Sequence, residues 1–106
     1  MTKLSTYRFY LPLATNAGLS TESARKQWEA AALDAAGGFT ALAFADGAWR
    51  NDAGRVFKDR IAPYDVALEP HKLPDLLGAF WRLFPDQEAL AFAKLGAAHL
   101  ETRPGG

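Results

Sequence analysis

Two groups of aromatic and charged residues in this sequence are of the types that bind ligands or partners. The first is Arg8 with Tyr10, two positions apart in a segment of alternating residues. Side chains two apart on a β-strand point to the same face. An arginine and a tyrosine there can hold an anionic or aromatic ligand, but both types are also enriched in protein interfaces. We favour the interface and expect Arg8 and Tyr10 to contact a second copy of the chain.

The second group is Trp49 with Arg50, to which Asp59 adds a carboxylate. The intervening residues 51–54, Asn-Asp-Ala-Gly, are typical of a hairpin turn, which would return Asp59 to the segment just before Trp49. There its carboxylate would pair with Arg50 or cap a bend. A charge pair beside a turn contributes little stability on its own. We interpret this group first as structural and second as a binding site.

The sequence contains no pattern typical of a catalytic or metal site. His71 and His99 are the only histidines, there is no cysteine, and the histidine spacing matches no metal motif. A Gly-x-Ser-x-Gly nucleophile motif and a phosphate-binding glycine loop are both absent. We therefore predict no catalytic residue, no metal site and no cofactor, and leave the roles of His71 and His99 open.

The composition argues against several classes of protein. The chain has 106 residues, 12 of them basic and 12 acidic, whereas a nucleic-acid binder usually has a basic excess. Without cysteine there can be no disulfide, zinc–thiolate site or iron–sulfur cluster. The N-terminal residues lack an apolar stretch of signal-peptide length, and no segment approaches the ~20 apolar residues that cross a bilayer. We expect a cytoplasmic protein that binds neither nucleic acid nor membranes.

Periodicity and turn residues predict elements in the order β-α-β-β-α-β. They are a strand over 4–13, a helix over 20–36, a strand from 39, a return strand over 55–68, a helix over 73–84 and a strand around 90–92. This order is that of the ferredoxin-like split βαβ fold, an α+β class in which both helices cover one face of an antiparallel sheet. We assign residues 1–103 to one such domain and residues 104–106 to a flexible tail.

Turn-forming residues or a proline are expected to interrupt the predicted strands at three places. Asp46 and Gly47 form either a two-residue turn or, as we prefer, a bend inside one long strand. Pro63 lacks a backbone donor, so the return strand should be bulged or unpaired around residues 61–63. Gly96 permits a tight turn, after which residues 98–102 would add an optional fifth strand at the edge.

Short motifs distributed over residues 7–93 resemble a family of small proteins. The motifs are Phe9-Tyr10-Leu11-Pro12-Leu13, Asn16-Ala17-Gly18, Gly37-Gly38-Phe39-Thr40, Gly47-Ala48-Trp49, Gly54-Arg55-Val56-Phe57-Lys58-Asp59 and Phe84-Pro85-Asp86-Gln87-Glu88-Ala89. The family comprises bacterial and phage- or plasmid-borne ferredoxin-like proteins, a domain of unknown function related in shape to the dimeric α+β barrel proteins. The resemblance implies the fold and a homodimer, and it implies no activity.

We therefore expect this protein to act by binding other proteins. We expect a non-enzymatic interaction module, homodimeric through the sheet face that the helices leave open. The resemblance further suggests a mobile-element accessory protein that acts on a host defence protein. The alternative is an enzyme of the dimeric α+β barrel type, either a cofactor-free monooxygenase or a haem-handling enzyme. In that case Trp49, Asn16, Arg8 and His71 would line a pocket of at least ~300 Å³ between sheet and helices.

Overall fold

A computed structural model describes residues 3–104, which form five antiparallel strands and two α-helices. In chain order these are β1 (Leu4–Pro12), α1 (Glu22–Ala36), β2 (Thr40–Ala41), β3 (Ala45–Arg50), β4 (Val56–Leu68), α2 (Leu73–Leu83) and β5 (Ala91–Ala98), with a short 3-10 turn (Pro70–Lys72) before α2. The α+β class is confirmed, and the architecture fits a ferredoxin-like α+β fold.

β4 and β1 are the two central strands of the sheet, because each has partners along both edges. The C-terminal part of β4 pairs with β1, and this register places Arg8 opposite Asp65. The other edge of β4 pairs with β2 and β3. β5 pairs with the outer edge of β1. The strand order is β2-β4-β1-β5, with β3 also on β4.

One face of the sheet carries the apolar core. Alternate residues of β1 and β4 point into it, and Phe9 and Val66 have no exposed surface. Both helices cover this face, since Trp28 of α1 and Phe80 of α2 are fully buried in the same cluster. Phe84, which is only 3% exposed, belongs to the same cluster.

Local signals set the helix boundaries close to those predicted. α1 begins one residue after Thr21, whose hydroxyl donates to the Pro12 carbonyl at 2.6 Å and so ties the helix start to the end of β1. The helix ends at Gly37, where φ is 79° and a Cβ would be strained. α2 has Pro74 in its first turn, where no backbone donor is needed.

The predicted bend at Asp46 and Gly47 is wrong, since both residues pair regularly within β3. The interruption lies instead at residues 42–44, between β2 and β3, where this chain segment has one residue more than the stretch of β4 opposite. The N–H and C=O of a strand residue point to the same edge. The carbonyl of Pro63 accepts from the Leu42 N–H at 2.9 Å, so the missing donor of Pro63 also faces this segment.

The return strand was predicted to be bulged or unpaired around residues 61–63. It has no bulge, because β4 continues without a break through Pro63, but Ala62 and Pro63 have no ladder partner in β2 or β3. Its pairing with β1 keeps one register from Ile61 to Leu68. β4 is held along both edges, whereas the segment containing β2 and β3 has β4 on one side only. The irregularity that proline imposes therefore falls on the edge segment, which is free to shift.

β5 differs from the prediction in two respects. It runs through Gly96, where a turn was predicted, and its register with β1 shifts by one residue at this point. Gly96 has φ of 142°, which allows the shift. Residues 99–103 form no strand, so the fifth strand arises from the division into β2 and β3 and not from residues 98–102. Of the predicted tail, residues 105 and 106 lie outside the described part of the chain.

The β3–β4 hairpin projects from the rest of the molecule, and we call residues 45–60 the hairpin arm. β1 pairs with β4 only from Ile61 onward, and the Leu13 N–H donates to the Arg60 carbonyl at 3.1 Å at the base of the arm. The remainder of the arm is paired only within itself. The described residues accordingly extend over 56 × 27 × 24 Å.

Candidate interaction surface

The sheet face opposite the helices, which we call the helix-free face, has an ion pair at its centre. Arg8 and Asp65 lie opposite each other on β1 and β4, with Nε to Oδ1 at 2.7 Å and Nη2 to Oδ2 at 2.9 Å. Their side chains are 33% and 22% exposed. The hydrogen bonds that Arg8 donates to Asp65 raise the pKa of Arg8 above its ordinary value, so the guanidinium remains charged. This surface therefore presents two opposite charges that neutralise each other.

Tyr10 stands beside this pair on the same face, as predicted. Its register partners are Pro63 on β4 and Ala91 on β5, while Ala93 lies opposite Arg8. The two alanines leave a strip of the face without long side chains. Tyr10 and Arg8 are each half-buried although neither helix covers them. The face is thus mainly apolar, with one compensated ion pair.

The hairpin arm holds the other predicted group, but not in the predicted pairing. Trp49 lies opposite Phe57, and their rings stack with centroids 4.6 Å apart and an interplanar angle of 16°. Trp49 Nε1 donates to Asp59 Oδ2 at 2.9 Å. Arg50, the partner predicted for Asp59, lies opposite Val56 and points to the other side of the hairpin by strand alternation. Trp49 and Asp59 therefore belong together, and Arg50 does not join them.

Arg55 is a member of this group that the sequence reasoning missed. Its guanidinium lies 4.9 Å from the centroid of the Phe57 ring, within the range of a cation–π contact. Phe57 is therefore contacted by Arg55 and by Trp49. The signal was available, because Arg55 and Phe57 are two apart in the predicted return strand over 55–68. We call Trp49, Phe57 and Arg55 the aromatic stack.

The aromatic stack and the helix-free face are on the same side of the sheet. β4 has no bulge between its ends, and the sequence separations between Phe57, Asp59 and Asp65 are all even. Because side chains alternate along a strand, all three point to the same face of the sheet. Eight residues separate Phe57 from Asp65, a distance of about 26 Å along a strand. The structure therefore places the two predicted groups on one surface but does not bring them into one site.

The four residues of the enzyme alternative have separate neighbours. The backbone N–H and side-chain amide of Asn16 donate to Asp86 at 2.8 and 2.7 Å, which joins two loops. His71 Nε2 lies 3.3 Å from Glu69, in an exposed pair. Arg8 and Trp49 have the partners given above. The structure does not bring these residues together, and His99 follows the end of β5 on the surface.

The space between sheet and helices is filled by aromatic side chains. Phe9 and Trp28 contact edge to face at 5.2 Å, and Trp28 also contacts Tyr64 at 5.3 Å. Two surface concavities occur elsewhere. One, of about 450 Å³, lies on the outer side of α1, and the other, of about 420 Å³, lies on the hairpin arm around Lys58. Neither lies between sheet and helices.

A polar cluster at the edge of α1 was also missed. The Tyr64 hydroxyl donates to Glu29 Oε2 at 2.7 Å, and Arg25 donates through Nε to the Thr21 hydroxyl at 3.0 Å. The Arg25 guanidinium also lies 5.4 Å from the centroid of the Phe44 ring. Burial, followed by the hydrogen bond with Glu29, raises the pKa of Tyr64. These contacts tie α1 to β4 and to the irregular segment beside it, which is a structural role.

Metal-binding clusters and membrane-spanning helices are both absent from residues 3–104. That part of the chain holds no group of three or more histidine, aspartate or glutamate side chains placed to bind a metal ion. Neither of its helices is long and apolar enough to cross a bilayer.

Comparison with known proteins identifies the fold and no more. No family model matches the chain. No curated protein matches it in sequence. A solved structure to which it is similar is a Bacillus cereus protein related to NIF3, with a TM-score of 0.66 and 10% identity. The similarity covers 90% of this chain and 26% of that one, so the chain spans about a quarter of that protein's length. At this identity the likeness concerns the fold alone.

Proposed function

We propose that this chain is a non-enzymatic protein–protein interaction module that forms a homodimer through the helix-free face. The observation that carries the proposal is the Arg8–Asp65 pair, set among half-buried apolar residues on a face that neither helix covers. A charge already paired within its own chain needs no partner group, whereas an unpaired charge buried in an interface is costly. The face is therefore suited to contact an apolar surface.

Self-association is the simplest way to cover this face. A two-fold interface needs only one self-complementary patch, because each contact occurs twice. A standard interface buries about 800 Å² per partner. Tyrosine and arginine near the centre also match the usual composition of interfaces.

The finer parts of this proposal are the split βαβ order of the ferredoxin-like fold and the bacterial or mobile-element family. The order follows if β2 and β3 are counted as one interrupted strand, since both lie on the same edge of β4. An accessory role that acts on a host protein stays a prediction, as does a cytoplasmic location. Such a partner would use the same helix-free face in place of the second copy.

Light scattering over a micromolar concentration series tests the proposal. The wild-type chain should be a dimer, and Tyr10→Glu should make it monomeric by placing a charge on the apolar face. Leu33→Glu is the matched control, since Leu33 is an exposed apolar residue on α1, on the other side of the molecule. A wild-type protein that stays monomeric throughout the series, or a control that dissociates equally, would refute the dimer.

A further inference from the structure

We propose that in the homodimer the hairpin arm of each protomer packs on the helix-free face of the other, with Trp49 as the main contact. This inference rests on the proposed function, since it requires the dimer. It assigns a role to the one projecting element of residues 3–104 and names the partner of the aromatic stack as a second copy of this chain.

The arm lacks apolar cover within its own chain. Trp49 is 52% exposed and Val56 is 50% exposed, and β3 contains no buried residue. A two-stranded hairpin alone in water is at best marginally stable. The body contacts the arm only near its base, where Leu13 donates to Arg60. A partner that is always present would stabilise the arm, and a second copy meets this condition at any concentration where the chain dimerises.

Both surfaces belong to the same face of the sheet. Phe57 in the arm and Asp65 in the body are on one side of the unbroken strand β4, about 26 Å apart. A second copy that faces the body can therefore also meet the arm. A two-fold axis near the base of the arm would place arm on body and body on arm, and each protomer would make the same pair of contacts.

The arm presents a pre-ordered apolar group. Stacking on Phe57 and the hydrogen bond to Asp59 restrain the Trp49 ring before any partner arrives. An ordered side chain loses less conformational entropy on binding. Tryptophan is also the residue type most often found to dominate the binding energy of an interface.

The helix-free face offers a matching surface. The strip at Ala91 and Ala93 has only methyl groups, and Tyr10 stands at its border. A flat indole can lie on such a strip and contact the tyrosine ring at its edge. The neighbouring Arg8 is held by Asp65, so the arriving ring meets no unpaired charge.

The area also favours a second copy over a small partner. The helix-free face and the aromatic stack both lie along β4, whose 13 residues span about 40 Å. Stable interfaces between proteins bury about 1,600 Å² in total. A contact that uses body and arm reciprocally reaches this size more readily than a contact with either surface alone.

The test compares two exposed tryptophans by sedimentation or light scattering over a dilution series. Trp49→Ala should raise the dimer dissociation constant by at least about tenfold. Trp81→Ala should leave it unchanged, because Trp81, 47% exposed, lies on α2 away from the helix-free face. Trp49→Phe should give an intermediate constant, since a phenyl ring can still stack on Phe57.

Cross-linking provides a second measurement, which is unambiguous because the chain has no cysteine. A mixture of Ala53→Cys and Ala98→Cys chains should give a heterodimer with a short bismaleimide, since Ala53 is at the tip of the arm and Ala98, opposite Leu4, is at the end of the helix-free face far from the base of the arm. Ala53→Cys with Ala30→Cys, on the outer side of α1, should give none.

The outcomes separate this inference from the proposed function. A wild-type chain that is monomeric at all concentrations refutes both. A dimer that Tyr10→Glu dissociates but Trp49→Ala leaves intact, with no cross-link from arm to face, refutes only the arm contact.

Discussion

Trp49 and Asp59 are joined by a hydrogen bond of 2.9 Å across the hairpin arm, although they are not register partners. Trp49 lies opposite Phe57, and Asp59 lies opposite Gly47. Because Gly47 adds no side chain to this face, the indole can reach diagonally to the carboxylate. The bond orients the ring that the dimer proposal requires, and it is a local contact that can be tested alone.

We expect Asp59→Ala to release the Trp49 ring with little loss of global stability. The contact is exposed, and an exposed hydrogen bond to a charged group contributes about 1 kcal/mol or less. The indole N–H resonance of Trp49 should move toward its free-peptide position in NMR spectra. Asp46→Ala, which removes an exposed pair with Arg60 at 3.3 Å, should leave that resonance in place. An unmoved resonance in Asp59→Ala would contradict the hydrogen bond.

Leu76 and Leu77 are neighbours on α2 with different burial. Leu76 has no exposed surface and Leu77 is half-buried at the margin of the core. We expect Leu76→Ala to lower the free energy of unfolding by about 2–5 kcal/mol. Leu77→Ala should cost less than Leu76→Ala, and Glu22→Ala, on the exposed side of α1, under about 1 kcal/mol. Chemical denaturation measures all three, and equal losses would mean that the assigned helix orientation is wrong.

The free energy of unfolding should decrease at alkaline pH because of the ionisation of Tyr64. Its pKa is raised in the folded chain by burial and by the hydrogen bond to Glu29. In the unfolded chain the phenol ionises near its ordinary pKa of about 10. The unfolded state therefore loses its proton first, and stability is lost as pH rises from about 10 to the higher folded pKa. Denaturation of wild type and Tyr64→Phe checks this, because the phenylalanine variant should lack that part of the decline. Parallel pH curves would show that Tyr64 does not contribute.

Replacing either of two glycines by alanine should change the stability of the protein, in opposite directions at the two positions. Gly78 is exposed within α2 and a Cβ there would meet no atom within 4 Å, so Gly78→Ala should stabilise by about 0.5–1 kcal/mol. Gly96 has φ of 142° at the register shift of β5, so Gly96→Ala should destabilise by more than about 1 kcal/mol. Thermal unfolding of both variants gives the signs, and a stabilising Gly96→Ala would contradict the backbone geometry there.

Several elements could be predicted because their signals are local. The alternation in β1 correctly placed Arg8 and Tyr10 together on the face that the helices leave open. The first helix was correctly predicted to end at residue 36. In each case the preference of a few consecutive residues for one backbone geometry determines the result, and tertiary contacts reinforce it.

The predictions were wrong where the geometry of one strand depends on its pairing with another. Pro63 was expected to disrupt its own strand, yet the irregularity is at residues 42–44, since β4 is held along both edges. Gly96 was expected to form a turn but lies within β5, because pairing with β1 continues past it. The position of a defect depends on which strand is free to move, and single-strand propensities carry no information on this.

By itself the sequence determined the α+β class, the two helices, the face on which Arg8 and Tyr10 lie, and the position of the hairpin turn at residues 51–54. Only the tertiary structure decided the partners: Asp65 for Arg8, and Asp59 for Trp49 in place of Arg50. The physical reason is the range of the interactions. Side-chain periodicity follows from backbone geometry over a few residues, whereas cross-strand pairing depends on register between segments, and a shift of one residue would exchange the two faces of a strand.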